Sequence, residues 1–209
     1  MFVINANMDN KVETKKAYEL YANKFDIKFE QHFLDFVRME ADIFIQNLNG
    51  IRILDLGSGP GNHAKYFKEK GLDILCLDYS FPMARLCKAK GLSSLVMDIE
   101  SLGFKERIFD GIWAYASLLH LLKKDLPKAI ESIEKILKTR GLLAIALKEG
   151  EGEKLEINEK YPGTKRLFSY FIDGEVRSLF GGSFDFIYSS RDNVRNKYVF
   201  LNYLLRLKS

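Results

Sequence analysis

The sequence predicts an α/β fold: helices packed on both faces of a mostly parallel sheet, three layers in all, preceded by a helical segment. Two observations predict it. Between residues 52 and 147, short apolar stretches alternate with amphipathic ones at short intervals, the rhythm of strands joined by crossover helices. The first apolar stretch also runs through Asp55 into Gly57, Gly59 and Gly61 and straight on into a helical pattern, a strand-turn-helix signature. At 209 residues, 47% hydrophobic and 29% charged, the chain can bury one substantial core. It is read as a single domain over residues 1–209, with 1–50 as a helical lid or cap and 51–209 as the core.

The elements follow in order. Residues 14–48 read as helix, because Tyr18, Tyr21, Phe25, Phe29, Phe33, Phe36 and Val37 recur at three-to-four-residue steps along one stripe. Strands are expected at 52–56, 73–77, 94–97, 111–115 and 142–147, and helices at 62–70, 81–90 and 126–137. The last of these helices starts well, with Asp125 at the cap and Pro127 in the first turn. Residues 149–153 alternate glutamate and glycine, a loop long enough to border a site. A helix is expected over 169–180 from Phe171, Val176, Leu179 and Phe180, ended by Gly181 and Gly182. Period-two alternation at 184–190 and 198–207 around a turn at 191–196 reads as a closing hairpin.

The glycines indicate what is bound. Without Cβ atoms at the turn, a ligand can lie on backbone N–H groups at a helix N-terminus. Asp78 closes the second strand, where nucleotide-binding sheets hold a carboxylate for the two ribose hydroxyls, so a nucleoside-containing ligand is implied. Spacing narrows it. A dinucleotide fingerprint needs Gly-x-Gly-x-x-Gly, but Asn62 stands where the third glycine belongs, which argues against a pyrophosphate. No Gly-Lys-Ser/Thr follows, which argues against ATP and GTP.

The run from Asp55 to Gly61, with Asp78, resembles motif I and the acidic residue of motif II in class I S-adenosylmethionine (SAM) dependent methyltransferases. Residues 96–104 are similar to the family segment whose aspartate, here Asp98, receives the adenine amine. Residues 109–120 resemble its fourth strand and following loop, and 136–146 its turn into the fifth strand, with Thr139 and Arg140 where proline and glycine are usual. The resemblance implies a Rossmann-like sheet of seven strands with the final one antiparallel. It implies SAM as methyl donor, S-adenosylhomocysteine as product, and no metal. Carried over residue by residue, it places Gly57, Ser58, Gly59 and Gly61 beneath the methionine and ribose portions, and Asp78 with its neighbour Tyr79 at the ribose. Asp98 falls on the adenine amine, Ile99 against its ring, and the backbone of Tyr115 and Ala116 beside the ligand. Asp55 either meets the ligand ammonium or braces the glycine loop, the second being favoured. Tyr21, like Tyr18, lies in a segment resembling the one that folds over SAM in small-molecule members; packing in the core is the other reading of both.

His120, five residues after Tyr115, is the candidate general base, since an imidazole can accept a proton near neutral pH. Orienting its loop or filling the pocket wall is the alternative. His63 reads as loop packing and His32 as surface. Several chemistries are disfavoured: residues 114–117 are Ala-Tyr-Ala-Ser rather than the Asn/Asp-Pro-Pro-Tyr/Phe that clamps planar amines, neither cysteine follows a proline, and no cluster has metal-ligand spacing. Cys76 and Cys87 form no disulfide framework, no basic leader or membrane-length apolar run is present, and a reduced, cytoplasmic setting is expected. The net charge of +4 is dispersed among acids, so a nucleic-acid partner is not expected. The expected partner is a small-molecule methyl acceptor, accepting at oxygen, nitrogen or carbon, bound by a monomer or homodimer. An RNA or protein methyltransferase, and a SAM-binding partner protein without transfer activity, remain open.

Overall fold

The computed structural model describes residues 6–209, with side chains from Asn10 onward. The extreme amino terminus, read above as carrying no leader, lies outside the described residues. Three helices come first: α1 (Ala6–Leu20), α2 (Ala22–His32) and α3 (Arg38–Asn47), with one π turn at Phe33–Val37 between α2 and α3. The single helix expected from residue 14 is thus longer and broken. Its polar first turns hide the start from a reading based on apolar periodicity, and Tyr21, at φ −118° and ψ 24°, interrupts the helix after Leu20. The π turn adds a residue to one turn, and both Phe33 and Val37 point inward.

The core then alternates as expected: β1 (Arg52–Leu56), α4 (Asn62–Glu69), β2 (Asp73–Asp78), α5 (Phe81–Ala89), β3 (Ser93–Val96), β4 (Phe109–Tyr115), α6 (Leu126–Ile136) and β5 (Leu137–Glu149). The rest of the chain forms β6 (Glu153–Ile157), β7 (Lys165–Phe171), α7 (Asp173–Phe180), β8 (Phe184–Val194) and β9 (Tyr198–Leu207). Strands β3-β2-β1-β4-β5 pair in parallel in that order, β9 runs antiparallel on β5, and β8 pairs antiparallel with β9. This is the mostly parallel sheet with an antiparallel final strand that the sequence predicts. The β8–β9 turn carries positive φ at Arg195 and Asn196, the type I′ geometry that matches strand twist.

Nine strands are described where seven were expected, and the two extra ones bear on the site. The glutamate-glycine stretch leads into a β6–β7 hairpin, paired from Glu153 opposite Ser169 to Ile157 opposite Lys165. The helix expected from residue 169 therefore begins only at Asp173. Four successive residues of β7, Arg166 to Ser169, are all buried, so the strand shows no alternation for a sequence reading to detect. β7 meets β5 where Lys148 faces Tyr170, while β9 occupies the other edge of β5, with Lys148 facing Phe200. The hairpin consequently continues the β4 edge past its last pair, Tyr115 with Ala146, and stands above the carboxyl ends of the strands.

Both faces of β4 are buried. Ile112 and Ala114 join the cluster under α6, whereas Trp113 packs against Phe44 and Phe67 at 5.3 and 5.1 Å between ring centroids. Gly111 admits this packing: a Cβ there would lie 2.7 Å from both Leu48 and Phe44. Among the described residues no helix is long and apolar enough to cross a membrane.

Where α3 meets β8 and β9, Glu40 is 6% exposed, accepts from Ser190 Oγ at 3.1 Å, and leaves Oε2 without a partner. Desolvation pushes its pKa from near 4.5 up to about 7. The folded state thus holds a proton that the unfolded chain releases, so this group's contribution is most favourable at low pH and is lost as pH rises from 4.5 through 7. Glu40→Gln mimics the protonated form and should raise stability at pH 8 by about 1–3 kcal/mol in urea titrations, with the gain vanishing near pH 4. No gain at pH 8 would show that the carboxylate is not desolvated.

Candidate active site

The site is built on the turn after β1. Gly57, Gly59 and Gly61 all take positive φ, at +75°, +53° and +82°, but they do different things. A Cβ on Gly57 would fall 2.4 Å from the Cβ of Ser117, so the turn lies directly against the loop after β4. A Cβ on Gly61 would come within 2.9 Å of Cys87 and Leu92, so that glycine serves the packing of α4 against α5. Gly59 faces open space with only the Phe29 ring nearby. The N–H groups of Gly57 and Ser58 both donate to Leu77 O, at 2.8 and 2.9 Å.

Asp78 ties this turn to the end of β2. Its Oδ2 accepts from Gly59 N–H and its Oδ1 from Ser80 N–H, each at 2.8 Å, leaving further lone pairs on both oxygens. Burial pushes its pKa up to about 6 against the opposing pull of those backbone bonds. Asp55 lies below, 2% exposed, with Oδ2 unpartnered and its pKa raised well above the usual range by desolvation. It makes no hydrogen bond to the glycine turn and does not line the cavity.

That cavity has a volume of about 550 Å³ and opens over the carboxyl ends of β1, β2 and β4. Ser58, Asp78, Tyr79, Asp98, Ile99, Tyr115 and Ala116 line it together with Gly57 and Gly59, so most of the predicted binding residues converge on one space. Gly61 and Tyr21 do not line it; the Tyr21 hydroxyl donates to Pro162 O at 2.8 Å and its ring rests on Tyr161. Asp98 pairs with Lys11 of α1 and accepts from Glu100 N–H at 3.0 Å, while Lys15 of α1 sits 4.3 Å above the Tyr79 ring. Ala116, with φ +57°, holds the left-handed conformation that alanine rarely adopts. Ser117 Oγ is buried with no partner.

His120 is held at both ring nitrogens. Nδ1 lies 2.6 Å from Leu167 O, which can only accept, so Nδ1 carries the proton. Nε2 then accepts from the Tyr18 hydroxyl at 2.7 Å, and Tyr18 in turn receives a long bond, 3.4 Å, from Arg166 Nη1. Burial pushes the His120 pKa down to about 3. This corrects the titration near neutrality expected of it: the ring is a neutral acceptor seated in the pocket wall. His63 accepts from Trp113 Nε1 at 3.0 Å, and burial lowers its pKa to about 3. His32 is not a surface residue; it lines the cavity against Phe36 and Phe200, with its pKa lowered to about 4 by burial.

The cavity wall also contains residues that the sequence reading did not single out: Lys148, Arg166, Phe168, Tyr170, Tyr198 and Phe200. Lys148 Nζ lies 3.3 Å from the Phe168 ring centroid and 3.4 Å from Glu156. The only signal available was the interleaving of basic and aromatic residues between Lys165 and Tyr170, in a segment with no periodicity.

Comparison with known proteins places this architecture. Residues 54–145 match the family model described as "Methyltransferase domain". The chain is 29% identical over 112 residues to malonyl-[acyl-carrier protein] O-methyltransferase of Pseudescherichia vulneris, covering 51% of this chain and 44% of that one. It is 32% identical over 124 residues to tRNA (carboxymethyluridine(34)-5-O)-methyltransferase of Arabidopsis thaliana, covering 56% and 29%. The chain thus spans less than half the length of either relative. Among solved structures, 1,6-didemethyltoxoflavin-N1-methyltransferase of Burkholderia thailandensis, crystallised with 1,6-didemethyltoxoflavin and S-adenosylhomocysteine, superposes with a TM-score of 0.77. That match covers 100% of this chain and 93% of the other at 20% identity. The fold is the class I, Rossmann-like methyltransferase fold, and the resemblance read from the sequence is shown at the level of family model and architecture.

The His120 geometry makes a direct prediction. In NMR titrations, the His120 ring should keep the Nδ1–H tautomer and show no protonation between pH 5 and pH 8. A midpoint near the ordinary histidine value of about 6.5 would show that the ring is open to water rather than buried.

Proposed function

We propose that this protein transfers the methyl group of SAM to a small-molecule acceptor, at oxygen, nitrogen or carbon, chiefly by positioning. The observation that carries the reading is the glycine turn, which offers bare backbone to a cavity shared with the Asp78 carboxylate 2.8 Å from Gly59 N. The residues fit the cofactor. Gly57, Ser58 and Gly59 would carry its methionine and ribose portions and Asp78 its two hydroxyls, beside Tyr79. Asp98 would take the adenine amine, sharing its carboxylate with Lys11, and Ile99 the ring, with the backbone of Tyr115 and Ala116 completing the wall. Gly61 supports the turn from below through its packing on Cys87 and Leu92, and Tyr21 secures the roof from outside.

When bound, SAM supplies a methyl group already activated on a sulfonium. The chain holds an acceptor in line with that carbon and keeps water out, work that proximity and exclusion can perform without covalent chemistry. Tyr18 and Phe29 roof the cavity from the α1–α2 layer, and Phe168 and Tyr170 close it from the β6–β7 hairpin. A volume of about 550 Å³ suits a cofactor and a modest acceptor better than a macromolecular surface. The Tyr18 ring, with its hydroxyl held by His120, is fixed as part of the wall beside the acceptor. The tRNA-methylating relative keeps an RNA acceptor as the second reading, which salt-dependent RNA binding would support.

Calorimetry should detect SAM and S-adenosylhomocysteine, and neither NAD nor ATP at comparable strength; tighter NAD binding would reject the reading. The Asp78 carboxylate adds a pH signature. It receives both ribose hydroxyls most strongly when ionised, and with its pKa raised to about 6 that form is lost as pH falls. S-adenosylhomocysteine should therefore bind roughly tenfold more weakly at pH 5 than at pH 7.5. Asp78→Asn should flatten this dependence and cost about 1.5–3 kcal/mol at pH 7.5. A pH dependence surviving in the variant would place its origin elsewhere.

A further inference from the structure

We infer that the methyl acceptor is an organic anion, a carboxylate or phosphate on a ring-sized apolar body, and that Arg166 is the residue that receives its charge. The inference rests on the methyltransferase reading for the word acceptor, but its observations are independent of that reading. Arg166 is 8% exposed and lines the cavity. Among the described residues no carboxylate lies within ion-pair distance of it, and its single hydrogen bond is the long one to Tyr18. A guanidinium has five donors in a planar fork suited to carboxylate or phosphate, so most of its hydrogen-bonding capacity is unspent.

Its surroundings are built rather than incidental. The guanidinium carbon lies 5.0 to 5.7 Å from the ring centroids of Phe168, Phe25, Tyr161 and Tyr18, which hold it by cation–π contacts and offer flat apolar surface beside it. Lys28 and Lys148 line the same cavity, and only Lys148 has an acidic partner, Glu156. A buried, unpaired charge is unfavourable unless a ligand completes it.

The cofactor's own carboxylate has the same chemistry, so the two are told apart with the cofactor site filled. Arg166 belongs to the β6–β7 hairpin, not to the strand ends that form the glycine turn.

The test uses the whole protein saturated with S-adenosylhomocysteine, with benzoate, phenylphosphonate and neutral benzamide as probes in calorimetry. Benzoate or phenylphosphonate should bind at least roughly tenfold more tightly than benzamide, and whichever binds better separates a carboxylate from a phosphate acceptor. Arg166→Met should abolish the preference, and Arg166→Lys, which keeps the charge without the fork, should retain part of it and covers the case where the first variant fails to fold. Affinity for S-adenosylhomocysteine should be unchanged in both. Equal binding of benzamide, or a preference that survives Arg166→Met, would overturn the inference. So would a tenfold loss of S-adenosylhomocysteine affinity in the variants, which would give the guanidinium to the cofactor. If the wild type fails to bind S-adenosylhomocysteine, the methyltransferase reading fails instead, and the anion contrast is then read on the unloaded protein.

Discussion

The close approach of three strand ends is the constraint on which the rest of the structure depends. The turn after β1 is pressed against Ser117 so tightly that no side chain fits at Gly57, it donates the N–H groups of Gly57 and Ser58 to Leu77 O of β2, and it donates Gly59 N–H to Asp78. The first contact joins the ends of β1 and β4, and the other two join the ends of β1 and β2. Together they hold bare backbone, one carboxylate and the start of α4 in a fixed relation, which is what a nucleoside-sized ligand needs from a protein. The sheet supplies this rigidity because β4 is packed on both faces, by Trp113 on one and Ile112 on the other. Displacement of the β4 end would move Ser117, and the turn that rests on it would follow.

Electrostatically the site has two sides. Around the turn the groups that line the cavity are the carboxylates Asp78 and Asp98, so that side welcomes donors. Across the roof and the hairpin the groups are Lys28, Lys148 and Arg166, and burial has stripped the histidines among them of their protons. Neutral His32 and His120 are what such a wall requires, because two more charges beside three cations in a desolvated space would be mutually repulsive. One half of the cavity is suited to hydroxyls and amines, and the other to an anion.

The first half was legible in the sequence and the second was not, for a physical reason. Strand, glycine turn and helix are local, so Gly57, Gly59 and Asp78 stand out through spacing, whereas Asp98, Ile99 and Tyr115 are reached only through the resemblance to the methyltransferase family. The β6–β7 hairpin has no such signature. Arg166 to Ser169 are uniformly buried because the strand has protein or cavity on both faces, which removes the alternation that marks a half-buried strand. Tyr18 and Tyr21 show the same limit. Both lie on the aromatic stripe, but the interruption at Tyr21 sends one ring into the cavity and leaves the other outside against Tyr161. His32 was misplaced because nothing in a helical stripe reveals that β9 will bring Phe200 to cover it.

The two halves bear on each other through the acceptor's proton. A general base acting near neutrality needs a ring that can take up a proton there and a lone pair free to receive it. His120 has neither: its Nε2 already accepts from Tyr18 and its burial disfavours the imidazolium. A neutral alcohol would therefore find no strong base in His120. An acceptor whose reacting atom is already unprotonated makes no such demand, and carboxylates and phosphates belong to that class at neutral pH. The cationic wall would then serve by placement, with Arg166 fixing the acceptor's charge and the Tyr18 and Phe168 rings bounding its apolar body, while the fall in barrier comes from alignment in a space closed to water. On this view the neutral, doubly held His120 and the guanidinium without a carboxylate partner express one design, a site that selects an acceptor which brings its own nucleophile.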